Sequence, residues 1–305
     1  MRIGLFTSET GDLDQLAEQA AQAERDGFDG IWFSQIFGGD ALTIIALAAQ
    51  RTERIEFGTS VIPIQTRHPY SFAQQAGTVQ AATGGRLTLG IGLSHQPVVE
   101  AMWGLSYDKP ARHMREYLQV FRPLLNEGRV AFTGEVFNVR ANLQLPKAPP
   151  LSVCIAALSP VMLRIAGELA DGTITWMTGA KTIASHTAPR LTAAAKAAGR
   201  PAPRVCVALP IAVTDEPAVA RAQAAQFFQV YGQLPNYKRM LDREGASGPS
   251  DVAIVGNESE VEQQLRALAA AGATDFLASA FPAGDDAPKS LARTRDLLKG
   301  LVGKV

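Results

Sequence analysis

The chain has 305 residues, 47% of them apolar, with 29 Lys and Arg against 29 Asp and Glu and a net charge of zero. That apolar content fills a large core without disulfides or metals, and balanced charge with no basic, aromatic-studded stripe excludes nucleic acid as the natural partner. No apolar run reaches the ~18 residues of a membrane span, and the opening Met1-Arg2-Ile3-Gly4-Leu5-Phe6 lacks a signal-peptide pattern, so no membrane association and a cytoplasmic location are expected.

In chain order the pattern is strand, loop, amphipathic helix, strand. Residues 3–8 form an apolar run, and residues 12–25 read as a helix with Leu13, Leu16, Ala17 and Ala20 on one face. Gly27 ends that helix and a strand is predicted over 28–34. Asp40 is placed to cap a helix over 40–51. A strand at 55–61, a helix at 71–83, a strand at 87–93 and a helix at 110–127 continue the alternation. A hairpin near 129–140, turning at Thr133-Gly134, breaks it; with no helix between its arms it reads as a loop insertion.

The rhythm resumes with a strand at 152–157, a helix at 160–169, a strand at 172–177, a helix at 188–198 and a strand at 205–213. Residues 217–272 are predicted mostly helical, with a helical insertion near 216–250 interrupted by the Gly, Pro and Ser of 245–250 and a lid over 233–250. A strand at 274–281 and a helix at 290–301 close the chain. Cys154 and Cys206, the only cysteines, sit in apolar strands and read as buried small hydrophobes. Eight apolar strands, each followed by helix, predict a single (β/α)₈ TIM barrel over residues 1–305. The rival doubly wound sheet lacks its fingerprint, because Thr7-Ser8-Glu9-Thr10-Gly11 carries no glycine-rich dinucleotide loop.

In such a barrel the site lies at the C-terminal ends of the strands. The residues there, Ser34-Gln35, Ser60 to Pro63, Ser94-His95, Ala157-Leu158-Ser159, Thr178-Gly179 and Ala280-Phe281, include no paired carboxylates, no His/Cys metal set and no nucleophile elbow. Chemistry borrowed from an organic cofactor follows. Arg67 and His68 follow the third strand, where a rigid loop with Arg67 in a solvated ion pair is the other reading. Gly90 and Gly92 alternate on the fourth strand and leave a small-sided surface for a flat ring. His95 offers an acid/base at its end. Ser159-Pro160 starts a helix whose free N–H groups bind an anion or simply make an ordinary cap. Trp103, Trp176, Met177, Phe227, Phe228 and Tyr231 read as core or as a greasy substrate pocket.

Gly27-Phe28-Asp29-Gly30-Ile31-Trp32, Gly58-Thr59-Ser60-Val61, Arg67-His68-Pro69, the run from Gly84 to Gly92, Ala170-Asp171-Gly172 and the run from Ala270 to Phe276 together resemble the luciferase-like family of flavin and deazaflavin oxidoreductases. Through residues 86–95 and 103–105 the chain is most similar to the branch using coenzyme F420. The resemblance implies a bulge at Ser60-Val61, often with a non-prolyl cis peptide, behind the cofactor ring. It implies a phosphate-binding turn at Ala157-Leu158-Ser159 and contacts from Ser94 and His95 to the cofactor tail. The set implied to bind cofactor is Ser34, Ser60, Val61, Arg67, His68, Gly92, Ser94, His95, Ala157, Leu158 and Ser159, with His95 also the candidate catalytic acid/base and no metal. Many deazaflavin members carry an acidic residue followed by His after the second strand, where this chain has Ser34-Gln35.

An F420-dependent oxidoreductase acting on a small organic substrate, with a homodimer implied by the family, is the leading expectation. An FMN-dependent monooxygenase and a non-catalytic cofactor-binding barrel are the alternatives.

Overall fold

A computed structural model describes all of residues 1–305. Eight parallel strands close into a barrel: β1 (Arg2–Thr7), β2 (Gly30–Phe33), β3 (Glu56–Thr59), β4 (Leu87–Gly92), β5 (Ser152–Ala156), β6 (Gly172–Trp176), β7 (Arg204–Val213) and β8 (Asp275–Ala280). Each pairs with the next, and β8 returns to β1. Burial on two sides explains the unbroken apolar runs, since β4 is buried at every position and β7 at every position after Arg204.

The helices start where cap residues place them. The Asp12 carboxylate accepts from the Asp14 and Gln15 N–H groups ahead of Leu13–Arg25, and that of Asp40 accepts from Thr43 N–H ahead of Ala41–Ala48. Helix Pro69–Ala82 begins two residues before the predicted Ser71. His68 Nδ1 accepts from Tyr70 N–H, and Pro69, which has no N–H to satisfy, fits the first turn.

The N-terminal mouth of the barrel is sealed by charge. Arg204 Nη1 donates to Glu56 Oε1 and to Thr88 Oγ1, both at 2.8 Å, and Nη2 donates to Asp275 Oδ1 at 2.6 Å. Arg2 reaches the same Glu56. Above this floor Trp32, Ile174, Ala208, Leu277 and the two free cysteines, buried as expected, fill the interior. Ligand access is therefore confined to the opposite end, where the strands finish.

The predicted hairpin is present as Arg129–Thr133 paired antiparallel with Asn138–Asn142. The stretch after β7 is helical over Pro217–Phe227, Gln229–Gln233, Pro235–Glu244 and Pro249–Val252, but it also contains a strand, Ile254–Gly256. That strand pairs parallel with residues 211–213, where the ten-residue β7 runs on beyond β6, whose pairing ends at Ala208. A run of three residues carries too little periodicity to be told from the helices flanking it. No helix is long and apolar enough to cross a membrane.

Candidate active site

β3 ends at Thr59, and the Ser60–Val61 peptide that follows is cis. The chain resumes at Ile62–Pro63, which pairs with Ile91 and Gly92 of β4. Ser60 N–H donates to Phe33 O at 2.8 Å, and the Thr59 hydroxyl both donates to Gly90 O at 2.8 Å and accepts from Gly90 N–H at 2.9 Å.

This bulge corrects one reading of the glycines. A Cβ on Gly90 would stand 1.9 Å from Thr59 O, and one on Gly92 would stand 2.6 Å from Val61 Cγ2 and 3.3 Å from Ala156 Cβ. The small-sided face of β4 is filled by the protein's own β3 and offers no open platform. The glycines admit a close strand approach, and the half-buried Ser60 and Val61 are what the mouth presents there.

The loop after β2 is organised by a residue absent from the strand-end set drawn above. Glu9, just beyond β1 and 3% exposed, accepts from the Ser34 hydroxyl. It also accepts from the N–H groups of Ile36, Phe37 and Gly38 at 2.7, 3.0 and 3.1 Å. Burial pushes this carboxyl up, but the Ser34 hydroxyl and the backbone donors outweigh it, and its pKa lies below the usual carboxylate value. Gln35 Oε1 accepts from Ala41 N–H at 2.8 Å. Ser34-Gln35 thus serves the loop's structure, with Glu9 as its anchor. Applying the strand-end rule to β1 as to the other strands would have found Glu9.

Ser94 follows β4 in the left-handed region, φ 56°. Its carbonyl accepts from the Tyr107 hydroxyl at 3.3 Å, and the His95 carbonyl accepts the N–H groups that open the helical turn Val98–Met102. The His95 ring meets Tyr237 edge-on at 5.7 Å, and burial lowers its pKa, so the imidazole is neutral at pH 7.

The aromatics divide. Trp176, at the end of β6, stacks on Phe6 at 5.7 Å and meets Phe228 and Tyr231 edge-on at 5.8 and 5.6 Å. Tyr231 in turn meets Tyr237 at 5.4 Å, and Phe228 meets Phe281 at 5.9 Å. Together they ring the barrel mouth. Met177 is fully buried and Phe227 is exposed. Trp103 lies elsewhere, in a cleft of about 550 Å³ shared with Arg67, His68, His113 and Phe137. Arg67 is paired with Asp40 at 2.9 Å, the ion-pair alternative its loop left open.

Two helical segments start near the ends of β5 and β6. At the second, the Glu244 carboxylate accepts from the N–H groups of Lys181 and Thr182 at 3.0 and 2.7 Å, and Gly179 leaves it room. At the first, Ser159 caps Pro160–Leu169 through Met162 N–H at 3.3 Å, and no protein carboxylate takes the anion position. The turn is held by His186, buried to 1% exposure, whose Nε2 donates to Leu158 O at 2.8 Å. Burial lowers the His186 pKa, the Leu158 carbonyl opposes the shift, and the nearby Arg243 and Arg190 reinforce it. His186 Nδ1 and Thr187 Oγ1 are buried without partners. A helix start that no protein carboxylate occupies fits a phosphate.

A family model described as luciferase-like monooxygenase matches residues 1–284. The chain belongs to the luciferase-like monooxygenase family. Its relatives in that family include an uncharacterized protein of Mycobacterium tuberculosis, 29% identical over 259 residues that span 80% of this chain and 76% of that one. The F420-dependent glucose-6-phosphate dehydrogenase of Intrasporangium calvum is 33% identical over 177 residues, 52% of this chain and 53% of its own. The luciferase-like barrel superposes on the coenzyme F420 dependent tetrahydromethanopterin reductase of Methanopyrus kandleri with a TM-score of 0.81, covering 100% and 98% of the two chains at 20% identity.

Proposed function

We propose that this luciferase-like protein is an F420-dependent oxidoreductase that passes hydride between the deazaflavin and a small organic substrate. The observation that carries the reading is the free anion-binding turn at Ser159, with Arg190 and Arg243 beside its supporting His186. The similarity to an F420-dependent dehydrogenase favours the deazaflavin over FMN.

The turn's N–H groups would hold the phosphate. Ser60 and Val61 would back the ring, and the aromatic ring of Trp176, Phe228 and Tyr231 would keep water out. Bound there, the coenzyme supplies the hydride donor or acceptor, and the protein supplies position and a dry setting. His95 is the proton carrier of this scheme, because its neutral imidazole accepts a proton at pH 7 without first losing one. Glu9 is excluded from that role, since four hydrogen bonds consume its carboxylate.

Titration of the purified protein with F420 and with FMN, followed by cofactor fluorescence, tests this. F420 is expected to bind at least about tenfold more tightly, a difference of 1.4 kcal/mol. Tighter FMN binding would move the assignment to an FMN monooxygenase, and binding of neither would overturn the cofactor site.

A further inference from the structure

Resting on that oxidoreductase reading, we propose that the substrate is a neutral, largely apolar or aromatic compound bearing one acceptor oxygen. It would be gripped by Trp176, Phe228 and Tyr231, with the buried Phe281 packed behind Phe228. These side chains come from three parts of the chain, the ends of β6 and β8 and the segment that follows β7, and their contacts with one another are aromatic edges and faces.

The ring supplies almost no charge. Burial raises the pKa of the Tyr231 and Tyr237 phenols, which keeps both protonated, and His95 against Tyr237 is neutral. The carboxylates of Glu9, which follows β1, and Glu244, which faces the segment after β6, are both taken up by backbone N–H groups. Arg67 pairs with Asp40 and opens into the separate Trp103 cleft. Arg190 and Arg243 act on His186, behind the Ser159 turn proposed for the cofactor's anion. A charged substrate group brought into the ring would lose water and gain no counter-charge, which is costly.

The polar atoms of the ring are uncharged. Trp176 Nε1 is buried against the Tyr231 hydroxyl, and that hydroxyl is the donor that an oxygen acceptor on the substrate would meet. The approach is apolar as well. Phe37, Met102, Phe227 and Val230 are 66%, 60%, 54% and 55% exposed on the segments that follow β2, β4 and β7.

A matched pair of probes decides the matter: 2-acetonaphthone and its carboxylated analogue 6-acetyl-2-naphthoate, measured by equilibrium dialysis on protein loaded with F420 and on protein without it. The neutral ketone is expected to bind about tenfold more tightly or better. Phe228→Lys, which supplies the missing counter-charge to a half-buried position, should narrow or reverse that ratio, and Phe228→Leu should keep it. Equal or tighter binding of the carboxylate to the unmodified protein, or failure of both probes to bind at millimolar concentration, overturns the inference even if the lysine variant does not fold. Dialysis needs no turnover, so the two readings fail separately. A protein that binds F420 but prefers the naphthoate loses the substrate class alone, and one that prefers the ketone but binds no F420 loses the cofactor alone.

Discussion

Four glutamates hold loops of this barrel by accepting backbone N–H groups. Glu9 anchors residues 36–38, Glu24 anchors 53–55, Glu116 anchors 135–137 and Glu244 anchors 181–182. Each carboxylate solves the same problem, a cluster of backbone donors at a turn with no strand or helix partner. Glu9, like Glu244, lies at the strand-end face, and its position invites a catalytic reading that its bonding contradicts. Glu9→Gln keeps the shape but turns an acceptor oxygen into a donor and removes the charge. Hydrogen bonds to a charged group are worth about 1.5–3 kcal/mol, so urea unfolding should show a loss of about 2 kcal/mol, and F420 affinity should fall as the loop after β2 loosens. A general base would behave otherwise, with turnover collapsing while stability stayed unchanged.

At the scale of elements, the decisive contact is between β3 and β4. Gly90 lets the Thr59 carbonyl approach where a side chain would stand, and the clash of an added Cβ is with backbone, which cannot swing aside. Gly90→Ala should cost about 3 kcal/mol or more, or prevent folding. Gly248→Ala, where a Cβ would meet nothing within 4 Å and φ is −169°, should stay within about 0.5 kcal/mol in the same denaturation assay.

The contrast shows what a sequence displays and what it hides. Apolar runs and caps such as Asp12, Asp40 and Ser159 act on neighbours a few residues away, so the alternation of elements, the hairpin and the helix start at Pro160 were legible. Glu9, His186 and Gly90 act on partners 25 to 31 residues distant, and nothing local marks what they touch. Trp103 and Trp176 read alike as core or pocket aromatics, yet only the closed barrel sets Trp176 against Tyr231 and Trp103 in a cleft with Arg67 and His68. The strand Ile254–Gly256 escaped for the opposite reason: its cause, the unpaired end of β7, is a property of the sheet.

Across the whole molecule, the buried histidines and carboxylates make stability fall as pH drops below neutrality. His95, His113 and His186 all have pKa values lowered mainly by burial. A lowered histidine pKa means that the unfolded chain binds the proton more readily, so stability is fully present above the unfolded value, near 6.5, and drains away as pH falls toward the folded value. The carboxylates act lower on the scale. For Asp275 at the barrel floor, burial pushes the pKa up but Arg204 outweighs it, and Glu9 is lowered by Ser34 and its backbone donors in the same manner. Their contribution is present above the ordinary carboxylate range, about 4, and is lost below it. Melting temperature measured from pH 8 downward should therefore hold to about pH 7, decline gently below about pH 6.5 as the histidines are drawn toward the charged state, and fall steeply below about pH 4 as the floor and the Glu9 anchor protonate. His186→Gln, which has no ionisable ring to bury, should shrink the first decline and leave the second in place. An unaltered first stage would mean that the His186 ring takes up its proton as readily in the folded chain as in the unfolded one.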